Sequence, residues 1–232
     1  MIFMKYNVDL YLKIHFIYPR SMHWKKYAFI LLLSVFKFTN AFSQFNFQHL
    51  IGGIGNDRAQ TIFNTYDNCF IVNGASLSFG AGNADATLIK TDNQGRVIWS
   101  FAYGTTEYDN SEFALETFDR KIVCAGRSNI QAGLPSSAFI FKTDSAGQLL
   151  WSKFFGGTSD DDLVQIIETS DNGYAAIGYS KSQSSGLSDI LLIRTDINGD
   201  TLFIKSYGTA EDETGLSIIQ LLHSTPGIMI FF

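Results

Sequence analysis

Four histidines, two cysteines and only 17 basic side chains in 232 residues leave this chain short of several kinds of chemistry. Cys69 and Cys124 are too few for a disulfide framework. They are expected as isolated buried thiols, a single bridge being the alternative. Only His49 and His223 lie beyond residue 43. Neither neighbours a metal-type cluster, which removes the usual basis for a zinc centre or a histidine-dependent catalytic set. The apolar run at residues 27–36 has about ten residues, half of the ~20 that a spanning helix needs. Basic charge is also unevenly placed: six of the 17 Lys and Arg but one of the 22 Asp and Glu precede residue 44. The remaining 11 basic and 21 acidic groups give a net charge near −10, a field that repels phosphate backbones. Nucleic-acid binding is therefore not expected.

What the first residues do contain is an export pattern. Met22 to Lys26 is a basic start, residues 27–36 are apolar, and Ala41-Phe42-Ser43 places small residues at −3 and −1. This predicts a signal peptide over 22–43 with Gln44 as the mature start, and no stable transmembrane segment after it. Residues 1–21 fit neither a signal nor the pattern of residues 44–232, and are read as an upstream mis-start or a leader. A membrane anchor reaching Phe38 is the competing reading, against which Lys37 stands.

From residue 44 onward the chain is dominated by a 52-residue repeat. Thr91-Asp92-x-x-Gly95, Thr143-Asp144-x-x-Gly147 and Thr195-Asp196-x-x-Gly199 recur at that spacing. So do Gly52/Gly104/Gly156/Gly208, Gly74/Gly126/Gly178, Asp67/Asp119/Asp171, Lys90/Lys142/Arg194 and Trp99/Trp151/Phe203. Within the third copy, the apolar runs 163–167, 174–179, 190–195 and 201–207 are separated by Asp, Asn, Ser and Gly. Short runs bounded by turn residues read as an antiparallel meander. In the Asp-x-x-Gly turns, the carboxylate accepts local N–H groups and the glycine takes a positive φ, so hairpin geometry alone explains the recurrence.

Four-stranded units of this length are blades that bury their faces by stacking on one another. The expected fold is all-β, a partial β-propeller with blades at about 53–104, 105–156 and 157–208 and an incomplete one at 209–232. The aromatic at 99, 151 and 203 is expected to wedge between blades. One segment competes: Ser159 as a cap and Leu163, Ile166 and Ile167 at helical spacing make a helix over 158–169 the alternative, giving an αβββ unit. Three and a half blades leave an unpaired edge, and the reading is of a truncated frame whose intact form carries further copies.

The series Asp171-Asn172-Gly173-Tyr174, Gly178, Arg194-Thr195-Asp196-x-x-Gly199 and Phe155-Gly156-Gly157, with Lys142-Thr143-Asp144 through Gly147 to Trp151, resembles the secreted propeller-like repeat proteins of Bacteroidetes. The likeness covers roughly residues 48–232. It implies export, often by type IX secretion with a C-terminal sorting domain, which the residues here lack, and no established activity. The Asp-x-x-Gly-x-x-x-Trp segment is also similar to the tryptophan-docking motif of quinoprotein propellers, which supports blade packing and implies no quinone. The paired glycines are similar to those of kelch repeats, though placed differently.

Candidate chemistry is thin. Asp196, Asn198 and Asp200 alternate as calcium ligands do, but Thr201 stands where the loop needs glycine and the later Glu is missing. Asp160-Asp161-Asp162 and Glu211-Asp212-Glu213 concentrate carboxylates after a blade-ending glycine and are read as solvated acidic loops. Ser180 to Ser188 reads as a flexible loop with no attendant base. No catalytic, cofactor or metal residue is assigned. The functional expectation is an exported, non-enzymatic binding or structural module at the cell envelope or outside it, meeting a protein or glycan through rim loops. The alternative is a hydrolase or lyase using acidic rim loops, favoured if Asp109, Asp161 and Glu213 meet in a deep pocket with a basic or histidine partner.

Overall fold

The structure, a computed structural model, describes residues 48–221 and the backbone of 227–231. The signal-peptide reading, residues 1–21, His223 and the turn expected at 223–227 lie wholly or mostly outside the described residues. Short apolar runs punctuated by turn residues become fourteen strands: β1 Asp57–Asn64, β2 Phe70–Ser76, β3 Asp85–Thr91, β4 Val97–Tyr103, β5 Asp109–Glu116, β6 Ile122–Ser128, β7 Ser137–Thr143, β8 Leu149–Phe155, β9 Asp161–Glu168, β10 Tyr174–Ser180, β11 Asp189–Thr195, β12 Thr201–Tyr207, β13 Ser217–Leu221 and β14 Gly227–Phe231. Consecutive strands pair antiparallel into three four-stranded sheets, one per repeat, followed by the β13–β14 pair. No helix forms among the described residues, so none there is long and apolar enough to cross a membrane.

The helical spacing over 158–169 has a specific cause. β9 pairs with β10 so that Gly178 faces Leu163 while Ile177 faces Gln165, leaving Val164 as an extra residue in a β-bulge. A bulge interrupts the two-residue alternation and returns Leu163 and Ile166 to the same side, both fully buried. Bulges at Gln60 in β1 and Glu112 in β5 sit at the same repeat position.

The bulge also accounts for the glycine opposite it. A Cβ on Gly178 would lie 2.7 Å from Leu163 Cα and 2.8 Å from the Asp162 carbonyl carbon, and would overlap Asp162 O. Gly74 and Gly126 meet the carbonyls of Arg58 and Asn110 in the same way. The close approach of two backbones excludes any side chain there.

Hairpin chemistry follows the sequence reading. Asp92 Oδ1 accepts the N–H groups of Gln94 (2.8 Å) and Arg96 (2.9 Å), and Gly95 has φ +76°. Asp144 and Asp196 repeat both bonds. At the β1–β2 turn, Asp67 accepts from Thr65 Oγ1 and from Lys90 Nζ at 2.6 Å. Lys142 on Asp119 and Arg194 on Asp171 complete that series, tying the third strand of each sheet to its first hairpin.

Hairpin geometry is not the whole account of the Thr-Asp-x-x-Gly block. Trp99 on β4 lies against Gly147, the turn glycine of the next sheet: a Cβ there would be 3.2 Å from Trp99 Cζ3. Trp151 meets Gly199 likewise, at 2.8 Å. Tyr103 Oη donates to Gly147 O at 2.7 Å. The glycine serves both the positive φ and the close approach of the preceding sheet's rings, Phe101 with Trp99 at Gly147 and Trp151 at Gly199.

Stacking of sheets makes the core. One buried cluster joins Ile71, Leu88 and Tyr103 of the first sheet to Cys124, Phe139 and Phe141 of the second. A second joins Val123, Ile140 and Phe155 to Leu163, Tyr174 and Ile193. A third joins Ile177, Ile190 and Leu192 to Ile218 of β13. β11 is buried along its whole length, whereas β4, β8 and β12 are half exposed. First strands approach first strands, β5 meeting both β1 and β9, and β9 meeting β13. Hydrogen bonds repeat across the junctions too: Tyr66 N to Glu116 Oε2, Phe118 N to Glu168 Oε2 and Ser170 N to Gln220 Oε1, at 2.7, 2.6 and 2.8 Å. Both thiols are free, Cys124 fully buried and Cys69 partly so.

Candidate functional site

Antiparallel pairing gives each sheet two unlike ends. One carries the tight hairpins β1–β2 and β3–β4 and their equivalents; the other carries the loops 77–84, 129–136 and 181–188 and the connections 104–108, 156–160 and 208–216. Longer irregular segments on a rigid support are where binding side chains are displayed, so the loop end is the candidate site. Its loops are strapped across sheets: Asp109 N bonds Ala84 O (2.7 Å), Asp161 N bonds Ser136 O (2.9 Å) and Glu213 N bonds Ser188 O (2.8 Å).

The three carboxylates on which the enzyme alternative rests do not come together as an acid–base group. Asp161 is fully buried at the start of β9 and accepts bonds from Ser180 Oγ, Ser182 Oγ (2.6 Å) and Gly157 N (3.0 Å). Asp57 holds the equivalent place in the first sheet, accepting from Ser76 Oγ, Ser78 Oγ and Gly53 N. Those bonds, led by the one from Ser76, pull its carboxyl below the ordinary range. Asp109 accepts from Thr105 N and Oγ1, and Glu213 from Thr209 N and Oγ1. Each carboxylate is thus engaged by the loop of its own repeat. The hollow around Phe101–Thr105, Ser128 and Phe139 holds none of the three, and neither does the one around Gly52 and Ser76, whose lining carries Asp57 with His49 and Arg58.

Two expectations change here. Asp161 and Asp162 are buried rather than part of a solvated acidic loop, because they begin a strand covered by the preceding sheet; Asp160, Glu211 and Asp212 keep more water contact. The serine run is not a slack loop either. Ser180 and Ser182 bond Asp161, Ser185 bonds Asp189, and Ser188 bonds Asp212 at 2.8 Å. A signal for this was present: Asp57, Asp109, Asp161 and Glu213 share the 52-residue step, as do Ser76, Ser128 and Ser180.

The calcium-like stretch is a turn. Asp196 Oδ1 is taken by two backbone N–H groups, and Asp200 pairs with Lys153 at 2.8 Å. Among the described residues no group of three or more histidine, cysteine, aspartate and glutamate side chains is placed to hold a metal ion.

One carboxyl titrates near neutrality. Burial pushes Asp162 up to about 7, against the opposing pull of Arg127, whose Nε lies 3.9 Å away. The pair sits between the second and third sheets, with Tyr108 and Tyr179 about Arg127. Burial also raises Asp85, which faces Asp109 across Gly104.

What the loop end displays to water is apolar as well as acidic. Leu77, Phe79, Ile130, Leu134 and Leu187 are all about half exposed. No family model matches this chain, and no curated protein matches it.

Proposed function

We propose that the chain is part of a β-propeller, exported to the cell envelope or beyond, that acts as a non-enzymatic binding or structural module through its loop end. Radial stacking is supported by the neighbouring first strands and the exposed fourth strands, with a tryptophan against the next sheet's turn at two successive junctions. The observation that carries the non-enzymatic reading is the state of the carboxylates. Asp57 and Asp161 are saturated by loop hydroxyls and N–H groups, which makes them braces rather than proton donors. Exposed Phe79, Leu134 and Leu187 on strapped loops suit the apolar face of a protein or the ring face of a sugar.

The test uses residues 44–232 in affinity electrophoresis against a panel of soluble polysaccharides, with reducing-end release measured in parallel. Retardation without release, lost when Phe79, Leu134 and Leu187 become serine, fits the module. Release that disappears in Asp162→Asn would replace it with the hydrolase or lyase reading.

A further inference from the structure

Two of the three described sheet junctions bury carboxylates face to face without a counter-charge. Asp85, Ser137 and Asp189 open the third strands, and the bonds of Asp109 N to Ala84 O, Asp161 N to Ser136 O and Glu213 N to Ser188 O bring the next repeat against each of them. At the first junction Asp85 and Asp109 are 2% and 0% exposed. A Cβ on Gly104 would lie 2.6 Å from Asp85 Oδ1 and 2.4 Å from Asp109 Oδ2. The two oxygens are therefore at most about 5 Å apart, a span that two bonds of about 2.3–2.6 Å to a cation of calcium's size cover. At the third junction Asp189 Oδ1 and Glu213 Oε2 stand likewise, each 2.6 Å from the point that a Cβ on Gly208 would occupy. Among the described residues no lysine or arginine pairs with any of the four.

The polar atoms left over mark the place. Asp109 Oδ1 and Asp189 Oδ1 are buried with no hydrogen-bond partner, and so is the hydroxyl of Ser128, which is 0% exposed. Ser128 lies directly across the β5–β6 ladder from Asp109. Its equivalents Ser76 and Ser180 donate to Oδ1 of Asp57 and Asp161, so the hydroxyl and carboxylate oxygen that bond each other in the first and third sheets both go unpaired in the second. The second junction supplies the contrast. There Ser137 stands in place of the third-strand aspartate, and both oxygens of Asp161 are taken by Ser180, Ser182 and Gly157.

Burial raises the Asp85 carboxyl, and the charge of Asp109 adds to the rise. A water would satisfy the free hydroxyl and leave two buried negative charges facing one another, which is costly. A hard divalent cation answers the charge and the free oxygens together, since oxygen atoms are its preferred ligands. The nearly dry surroundings favour calcium over magnesium, which gives up its waters reluctantly.

We propose that Asp85 and Asp109, with the hydroxyl of Ser128, hold a calcium ion at the loop end of the first junction. The ion fastens the start of β3 to the start of β5. Asp189 and the half-buried Glu213 form a second, weaker site of the same kind. Two carboxylates and a hydroxyl are fewer ligands than a dedicated calcium loop brings, which sets the dissociation constant at about 0.1–1 mM, the range of extracellular modules.

Differential scanning fluorimetry tests it on residues 44–232 stripped of metal with EDTA and dialysed, with calcium chloride as the probe. Calcium at about 10 mM, tenfold or more above that constant, should raise the parent's melting temperature by about 3–5 °C. The rise should fall by at least half in Asp85→Ser, which copies Ser137, and persist in Asp200→Ser, which removes an exposed carboxylate from the alternating stretch 196–200. No rise in the parent overturns the inference, and so does an equal rise in the parent and Asp85→Ser. If calcium is inert and the parent gains stability from pH 7 to 5 that Asp85→Ser does not, a shared proton fills the gap and the cation is refuted. Should Asp85→Ser fail to fold, equilibrium dialysis against calcium with Asp85→Asn decides: affinity at least tenfold weaker than the parent's supports the site, and unchanged affinity refutes it.

Discussion

Replacing Gly178 with alanine adds one methyl group to the third sheet and should cost more than most single substitutions. The new Cβ would sit 2.7 Å from Leu163 Cα and 2.8 Å from the Asp162 carbonyl carbon, where ordinary contact begins at 3.4 Å. Both obstacles are backbone, so no side chain can rotate away. β9 must retreat from β10 by at least 0.7 Å beside the Val164 bulge, the shortfall at Leu163 Cα. Bonds near 2.9 Å would then stretch to about 3.6 Å, past the useful limit. Two or three ladder bonds at about 1 kcal/mol each, with the overpacking of Leu163 and Ile166 adding about 1–2 kcal/mol, give about 3–5 kcal/mol. Alanine's smaller unfolded-state entropy offsets this by roughly 0.4–1 kcal/mol, leaving a loss of about 3 kcal/mol.

Urea titration of residues 44–232, followed by tryptophan fluorescence, measures the loss, with Gly133→Ala as the comparison. Gly133 has φ +74° but nothing lies within 4 Å of the point an added methyl would occupy, so it carries conformational strain alone, about 1–2 kcal/mol. Gly74→Ala and Gly126→Ala should behave as Gly178→Ala does. If Gly178→Ala costs no more than Gly133→Ala, close backbone approach at the bulge is not what excludes a side chain there.

Asp119→Ala leaves Lys142, whose side chain is 3% exposed, with Tyr174 Oη as its remaining partner at 2.7 Å. The loss should be about 2 kcal/mol, below the roughly 3–5 of a fully buried pair because Asp119 keeps a third of its side chain in water, and Lys142→Met on top should recover part of it in the same urea assay. The hydrogen bond from Lys90, with that from Thr65, holds Asp67 down at about 2, and Thr169 and Arg194 lower Asp171. Folded values below the unfolded ones mean that this stabilisation is complete above about pH 5 and lost as pH falls from about 4 toward 2, which acid titration by circular dichroism reads. Asp162 has the opposite sign: raised to about 7, it weakens the fold as pH climbs from about 4 to 7, so Asp162→Asn should melt higher than the parent at pH 8 and alongside it at pH 4. Trp151→Ala should cost about 3 kcal/mol by opening the second junction, and Phe203→Ala less than half of that, since Phe203 packs at a junction where β13 and β14 are the described strands; differential scanning calorimetry separates them.

The fold was legible where the sequence pattern and the local chemistry agree. Thr-Asp-x-x-Gly marks one hairpin, Asp67, Asp119 and Asp171 mark the other, and the apolar runs between them are the strands within a residue or two. It was misleading at 158–169 because a bulge is one uncounted residue: Val164 restores two apolar side chains to one face, and that spacing is indistinguishable from a helical one until β10 is laid beside it. Gly178 sits opposite and recurs at 74 and 126, so the bulge had a sequence mark, a glycine inside a strand-like run at constant distance from an irregular neighbour.

The loop end was harder to read because its carboxylates look alike in one dimension. Asp160, Asp161 and Asp162 are adjacent, yet the first bonds Ser136, the second is buried under Ser180 and Ser182, and the third faces Arg127 of the neighbouring sheet. Alternation along a strand sends neighbours to opposite faces, so an acidic triplet at a strand start is split among three environments rather than pooled. Only the 52-residue register separates them, by aligning Asp161 with Asp57 and Asp109 and leaving Asp160 and Asp162 opposite Asn56, Arg58, Tyr108 and Asn110. The position kept acidic in every repeat is the one that braces a loop. Those that vary between repeats, Asp160 and Asp162 among them, are where one sheet junction can differ from the next, and the carboxyl that titrates near neutrality falls in this second class.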